Sequence, residues 1–428
     1  MREMKDSGVE WIGKIPKDWK VVQVKRLFDS KKEIVGNDVD KFDRLALTLN
    51  GVIKRSKTDA DGLQPEKFEG YQILHRNNLV FKLIDLENVK TSRVGLSPFD
   101  GLVSPAYIVL SNKNDNNQFY YYWFMSMYYN EVFNHLGGDG VRSALSAKDL
   151  LSLPILLVEG SVQSKIASYL DSKCSRIDTI IEEQQAVIEK LKEYKLSLIT
   201  EAVTKGLNPD VPMKDSRVEF IGYVPSNWEV CRLRNVGTTQ NGISKGGEYF
   251  GHGFPFVSYG DVYRNFSLPK EVNGLVDSTE VERELYSVKK GDIFFTRTSE
   301  TVEEVGLACV CEQDIENATF AGFLIRVRPF VDKLVVGFAK YYFRSNHHRF
   351  YLVKEMNLVT RASLSQMLLK GMPVLLPPME EQNQIADFLD RKCSAIDDTI
   401  SKKQALIEKL RAYKKSLIYE VVTGKKEV

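Results

Sequence analysis

The stretch IEKLKEYKLSLI at 188–199 returns as IEKLRAYKKSLI at 407–418. Sliding the chain over itself by 219 residues extends the match to 163–204 against 382–423, with 25 of 42 positions identical. A second match, at an offset of 209, sets MKDSGVEWIGKIPKDW (4–19) on MKDSRVEFIGYVPSNW (213–228), with 10 of 16 identical. The 219 offset is already in force where RSALSAKDLLSLPILL (142–157) meets RASLSQMLLKGMPVLL (361–376). Between these matches the two halves diverge. The order is variable, repeated, variable, repeated, and two copies are too few for a solenoid.

The repeated segments predict long helices. Ile166, Leu170, Cys174, Ile177, Ile181, Ile188, Leu191, Tyr194 and Leu198 step mostly by threes and fours, and Ile385, Leu389, Cys393, Ile396, Ile400, Ile407, Leu410, Tyr413 and Leu417 repeat the stripe. A period of about 3.5 is that of a coiled-coil seam, in which the polar Gln184 and Lys403 would restrict register. Ser161 suits the first N-terminus, Pro377, Pro378, Glu380 and Glu381 the second, and Gly206 and Gly424 the two ends, with Pro209 and Pro212 stopping the first helix. Some 42 residues at about 1.5 Å each span roughly 60 Å. A lone helix with such a stripe is unstable in water, so each copy is expected to pair with the other, antiparallel.

The variable regions read as mixed α/β. Strand-like runs (YQILHRNNLVFKLI, SPAYIVL, GDIFFTRT, GFLIRVRPF) alternate with Gly, Asn and Asp turns, and each region holds an aromatic helix-like run, FYYYWFMSMYYN (119–130) and AKYYFRSNHHRFY (339–351), suited to a core. The expected fold class is therefore α+β: two pseudo-twofold-related mixed α/β domains separated by two long antiparallel coiled-coil helices. The divisions are 1–153, a helical spacer 154–212, 213–373, and a second spacer 374–428.

Composition excludes more than it indicates. The 428 residues are 43% apolar with a net charge of +2, so any DNA-facing surface must be a local patch or be completed by a partner. No apolar run reaches the roughly 18 residues of a membrane span, MREMKDSGVEW has no signal-like core, and five cysteines do not suggest a disulfide framework. A cytoplasmic protein is expected. His75, His135, His252, His347 and His348 form no metal-binding pair, and Cys309 and Cys311 have no second CxC. Cys174 and Cys393, in the apolar stripes, suit packing. KGGEYFGHG (245–253) lacks a phosphate-loop lysine and reads as a polar loop. No catalytic, cofactor or metal site emerges.

Two dissimilar domains alternating with two near-identical helices resemble the specificity subunit of Type I restriction–modification systems, over essentially the whole chain. The resemblance rests most on SGVEWIGKIPKDW (7–19) and its echo SRVEFIGYVPSNW (216–228), and on PPMEEQNQIADFLD (377–390), with GLVSPAYIVL (101–110) and GDIFFTRT (291–298) like recurring segments of target recognition domains. The opening of the first helix, LLVEGSVQSKIASYLD, departs from the usual proline–glutamate–glutamine run. The resemblance implies a non-catalytic chain on double-stranded DNA, each domain reading one half of an asymmetric split target. The helices would set the spacing, pairing through Ile166, Leu170, Ile177, Ile181, Ile188, Leu191, Leu198, Ile385, Leu389, Ile396, Ile400, Ile407, Leu410 and Leu417. They would also dock two modification subunits, which bring S-adenosylmethionine and methylate adenine. Restriction subunits, with ATP and magnesium, would join through the complex.

Residues suited to DNA contact are Lys54, Arg55, Lys57, Lys82, Arg93 and Arg142 in the first domain, and Lys245, Tyr259, Arg264, Arg297, Thr298 and Arg361 in the second. Arg142 and Arg361 hold equivalent places before the repeated helices, which favours phosphate contact. A coiled-coil adaptor joining two protein-binding domains would explain the helices but not the matched openings of two diverged domains. A self-contained methyltransferase would need cofactor and target-base motifs that the sequence lacks.

Overall fold

The computed structural model describes all residues except 1, 50, 59–66, 85, 87–92, 113–116, 137–143, 300, 302–303 and 356–361, and the side chains of 135, 349, 353–355 and 362. The chain forms two compact units: Met1–Gln184 with Gln404–Val428, and Gln185–Lys403. Each long helix, Gly160–Lys205 and Met379–Val422, is therefore shared between units rather than forming a separate block.

Within each unit the two helices run antiparallel. In the first, Lys414 Nζ lies 2.6 Å from Asp178; in the second, Lys195 Nζ lies 2.6 Å from Asp397. These are the same ion pair under the 219 offset. Cys174 and Cys393 are buried with the isoleucines of the stripe, and burial pushes the Cys174 thiol up to about 11, so packing accounts for both. Leu191, Leu198 and Leu410 are half-buried. The tyrosines of the stripe lie elsewhere: Tyr194 is 57% exposed and Tyr413 52%. Their places on the seam go to Lys195 and Lys414, whose stems pack while their ammonium groups reach the facing aspartates. Ile199, Ala202 and Val203, and Ile418, Val421 and Val422, complete the buried ends. The first helix begins at Gly160, and Ser161 donates to the Glu159 carboxylate at 2.6 Å rather than capping the helix.

Each unit opens with the same scaffold. Strands Met4–Asp6 and Lys14–Pro16 pair antiparallel, as do Met213–Asp215 and Tyr223–Pro225. Lys20–Gln23 pairs with Pro154–Leu157, and Glu229–Arg232 with Pro373–Leu376. Trp19 and Trp228, one per hairpin, are buried at 2% and 0%. Each hairpin receives the end of a long helix. Gly424 turns at φ +69° against Pro16 and Trp19, and Gly206 at φ +76° against Trp228. A side chain at Gly424 would come within 2.5 Å of Pro16 Cγ, so the close approach as well as the left-handed turn calls for glycine there.

The equivalence continues where the sequences diverge. The first unit contains a three-stranded sheet ordered Ile108–Leu110, Leu79–Lys82, Arg93–Leu96. The second contains a four-stranded sheet ordered Gly237–Asn241, Leu324–Pro329, Ile293–Thr296, Ala308–Val310. Leu145 N–H donates to Leu83 O at 3.0 Å and Leu364 N–H to Arg297 O at 2.8 Å, which sets Leu79–Lys82 on Ile293–Thr296. The aromatic runs form helices Gln118–Tyr129 and Val336–Tyr342 that fill the cores, with Trp123, Phe124, Phe338 and Tyr342 fully buried. KGGEYFGHG is not all loop. From Phe250 it belongs to strand Phe250–Val257, bent at Gly251 and Gly253 by positive φ.

Candidate nucleic-acid interface

In the first unit the candidate cations gather on two sheets. Lys82 and Arg93 are cross-strand partners, and Arg55 stands opposite Arg44 across strands Arg44–Thr48 and Gly51–Arg55. Each pair places like charges side by side on its sheet, and Arg44 is buried, with its guanidinium donating to Ser56 O at 3.5 Å. Strand Arg93–Leu96 packs on the other sheet at Gly95, where a side chain would lie 2.6 Å from Leu47 Cδ1. Arg44 and Arg93 both act on the Tyr107 phenol, whose pKa is raised by burial and partly restored by these cations. Lys54 lies 2.7 Å from Asp43 and above the Phe99 ring, while Lys57 donates to Val39 O at 2.7 Å. Arg142 lies outside the described residues.

In the second unit a capping box, Ser258 with Asp261, starts the short helix Tyr259–Arg264. One turn apart, Tyr259 and Tyr263 stack at 6.0 Å. Both hydroxyls donate to Glu304, Tyr259 to its carbonyl at 3.4 Å and Tyr263 to its carboxylate at 3.1 Å. Thr296 Oγ1 also donates to the Glu304 carbonyl, and Ser299 Oγ to its carboxylate. Desolvation raises the Tyr259 pKa, and the hydrogen bond to Glu304 raises that of Tyr263. Thr298 lies beside this cluster on strand Thr298–Ser299, and Arg297 is fixed by its backbone, its guanidinium donating to Gly322 O at 3.4 Å. Arg264 is exposed and folds back over Gly260. Lys245 stands apart, bound to Glu282 at 2.8 Å and Asp277 O at 2.6 Å and nearly buried. Arg361 lies outside the described residues.

Several polar residues at these faces were not singled out from the sequence. Arg44 lies in an apolar strand and carries no signal. Tyr263 could have been found by its spacing of four from Tyr259. A cleft of about 760 Å³ in the first unit is lined by Arg76, Asn77, Asn78, Asn117 and Gln118. Asn117 is 1% exposed, with Nδ2 donating to Asn77 O and Oδ1 without a partner among the described residues. Among the described residues no three His, Cys, Asp or Glu side chains could hold a metal, and no helix is long and apolar enough to cross a membrane.

Two units with one scaffold and two unlike polar faces define a duplicated recognition protein. Residues 16–190 and 225–409 each match the family described as Type I restriction modification DNA specificity domain, and the chain belongs to that family. Its role is specificity rather than catalysis. A putative type I restriction enzyme MjaX specificity subunit of Methanocaldococcus jannaschii is 22% identical over 97% of this chain and 95% of its own length. The MjaVIII specificity subunit of the same organism is 23% identical over 96% and 94%. Among solved structures, a chain from a type I R-M system, described for its complex assembly and conformational transition, superposes with a TM-score of 0.70 at 14% identity, covering 95% of this chain and 98% of its own. The HsdS subunit from Thermoanaerobacter tengcongensis gives 0.51 at 14% identity over 96% and 98%.

Proposed function

We propose that each unit reads one half of a split, asymmetric DNA target in the cytoplasm. The helices hold the two halves at a set spacing and carry two modification subunits. Those subunits supply S-adenosylmethionine and methylate adenine. Restriction subunits, with ATP and magnesium, join through the assembled complex. One observation carries this reading: the scaffold repeats down to single hydrogen bonds while the polar faces differ. The first face offers paired cations from two sheets, the second a tyrosine stack with Arg297 and Thr298. Unlike faces on like scaffolds suit unlike half-sites in inverted orientation. The phosphate contacts that a chain of net charge +2 does not dominate would be shared with its partners.

Docking is supported by a second repeat. Val187 and Tyr194 in one unit, and Leu406 and Tyr413 in the other, are exposed at a spacing of seven on the long helices. Exposed apolar residues placed twice by the duplication suit two copies of one partner.

The test is methylome sequencing of a host carrying this chain and its modification subunit, repeated after residues 1–153 are exchanged for another such domain. We expect a bipartite motif with one methylated adenine on each strand, in which the exchange rewrites one half only. A motif altered in both halves, or no new methylation, would refute independent reading.

A further inference from the structure

The two units differ at one point where the scaffold is otherwise the same. In the first, the Tyr122 hydroxyl donates to Asp171 Oδ1 at 2.7 Å; in the second, the Tyr341 hydroxyl donates to Asp390 Oδ1 at 2.7 Å. The preceding residue of the second helix is Lys340, whose ammonium lies 2.8 Å from Asp390 and 3.5 Å from Glu312. In the first, that position is Tyr121, and Asp171 accepts instead from the uncharged Gln118 Nε2 at 2.7 Å. Two turns further along the long helix Asp178 and Asp397 hold matching lysines, but Glu182 stands where the second copy has Ser401. Neither Asp171 nor Glu182 has a basic side chain within ion-pair distance among the described residues. Asp171 thus lacks the ammonium that Asp390 has, while Lys415, which is Leu196 in the other copy, lies 5.6 Å over the Tyr129 ring.

The missing cation leaves a space. A cavity of about 520 Å³ opens there, lined by Tyr121, Tyr129, Asp171, Glu182 and the ion pair of Asp178 with Lys414, so its three carboxylates outnumber its one ammonium. The hydroxyls of Tyr121 and Tyr129 have no hydrogen-bond partner among the described residues. Burial pushes the Tyr121 phenol up to about 12, so the ring stays neutral beside the carboxylates. Aromatic faces beside unpaired carboxylates are what an ammonium or guanidinium group recognises.

Building on the docking proposed above, we infer that this cavity is a socket for a lysine or arginine side chain of the modification subunit, open in the first unit and plugged by the chain's own Lys340 in the second. Charge complementarity selects the occupant, and Lys340 shows what the duplicated aspartate holds when the cation comes from within. The cavity shares the second long helix with the exposed Tyr413, one residue from Lys414, so one partner could cover both. Two identical subunits thus meet unlike sockets, and only the first contact gains a charged pair.

The experiment titrates purified modification subunit into the full-length chain and counts one-subunit and two-subunit complexes by mass photometry at low and high salt. Tyr121→Lys installs the plug of the second unit and should weaken one of the two binding steps about tenfold, leaving the other unchanged. Glu182→Gln keeps the shape of the rim and should weaken the same step about threefold at low salt, with the difference vanishing at high salt. Wild-type two-step binding by Glu182→Gln overturns the socket, whatever Tyr121→Lys does. A wild-type chain that captures no modification subunit overturns the docking proposal itself.

Discussion

Trp19 and Trp228 occupy the same buried place in two hairpins, whereas Lys82 and Thr296 occupy the same place in two sheets that share little sequence. The first pair shows what duplication has kept: strands, helix ends and the tyrosine–aspartate bond that ties each aromatic helix to the long helices. The second shows what it has released. Lys82 is half-buried beside Arg93, whereas Thr296 is fully buried and hydrogen-bonded to Glu304 and Leu307, so one backbone place carries a cation in one copy and a local structural contact in the other.

The comparison can be broken first at the hairpins. Trp19→Ala and Trp228→Ala each empty a fully buried site and should each cost about 3–5 kcal/mol in denaturant unfolding of the full chain. Losses differing by more than about 1 kcal/mol would mean that the two scaffolds are not energetically equivalent.

Acid should separate the units by a smaller amount. His347 and His348 are buried in the second unit with ring centroids 3.9 Å apart, against Tyr342 and Phe343. Desolvation lowers the pKa of His347 to about 3 and that of His348 in the same direction. Unfolded imidazoles take up protons below about 6.5 while the folded pair does not, so this contribution is full above that pH and falls as pH drops. At pH 5, His347 alone should cost about 2 kcal/mol. In the first unit His75 behaves oppositely. Its hydrogen bond to Glu33 raises its pKa, so its contribution is present at low pH and is lost as pH rises through the raised value. Thermal unfolding at pH 7.5 and 5 should therefore show the second unit losing stability, and His347→Phe with His348→Phe should flatten that dependence. A wild-type second unit equally stable at both values would contradict the neutral pair.

The smallest effect should come from the repeated ion pair. Lys195→Met and Lys414→Met each remove a partner of a partly exposed aspartate and should each cost less than about 1 kcal/mol, by equal amounts. Unequal losses in the same unfolding assay would locate a difference within the helices rather than at their neighbours.

The sequence was most legible where it repeats itself. The offsets of 219 and 209 were enough to mark two long helices with their glycine ends and two matched openings, because a 3.5-residue stripe and a left-handed turn are local constraints, but that each opening is a hairpin came only from strand pairing. The seam was less legible at Tyr194. Apolarity favoured tyrosine, but the helix faces its partner with Lys195, since a lysine with an aspartate opposite can lie on a half-buried seam and a tyrosine need not. Of the reading face, single lysines and arginines could be named but not sorted. Lys245 is tied to Glu282, whereas Arg93 lies beside Lys82, and only strand pairing makes that difference.

By itself, then, the sequence determined the duplication, the helix positions and the family to which they belong, all of which depend on periodicity and near neighbours. Tertiary structure decided that Tyr122 and Tyr341 are one residue in two copies, that Leu83 and Arg297 share a backbone position, and that Asp171 lacks the ammonium that Asp390 has. These facts rest on contacts between segments about 50 residues apart or more, whose meeting depends on how helices and sheets pack rather than on any local preference of the chain.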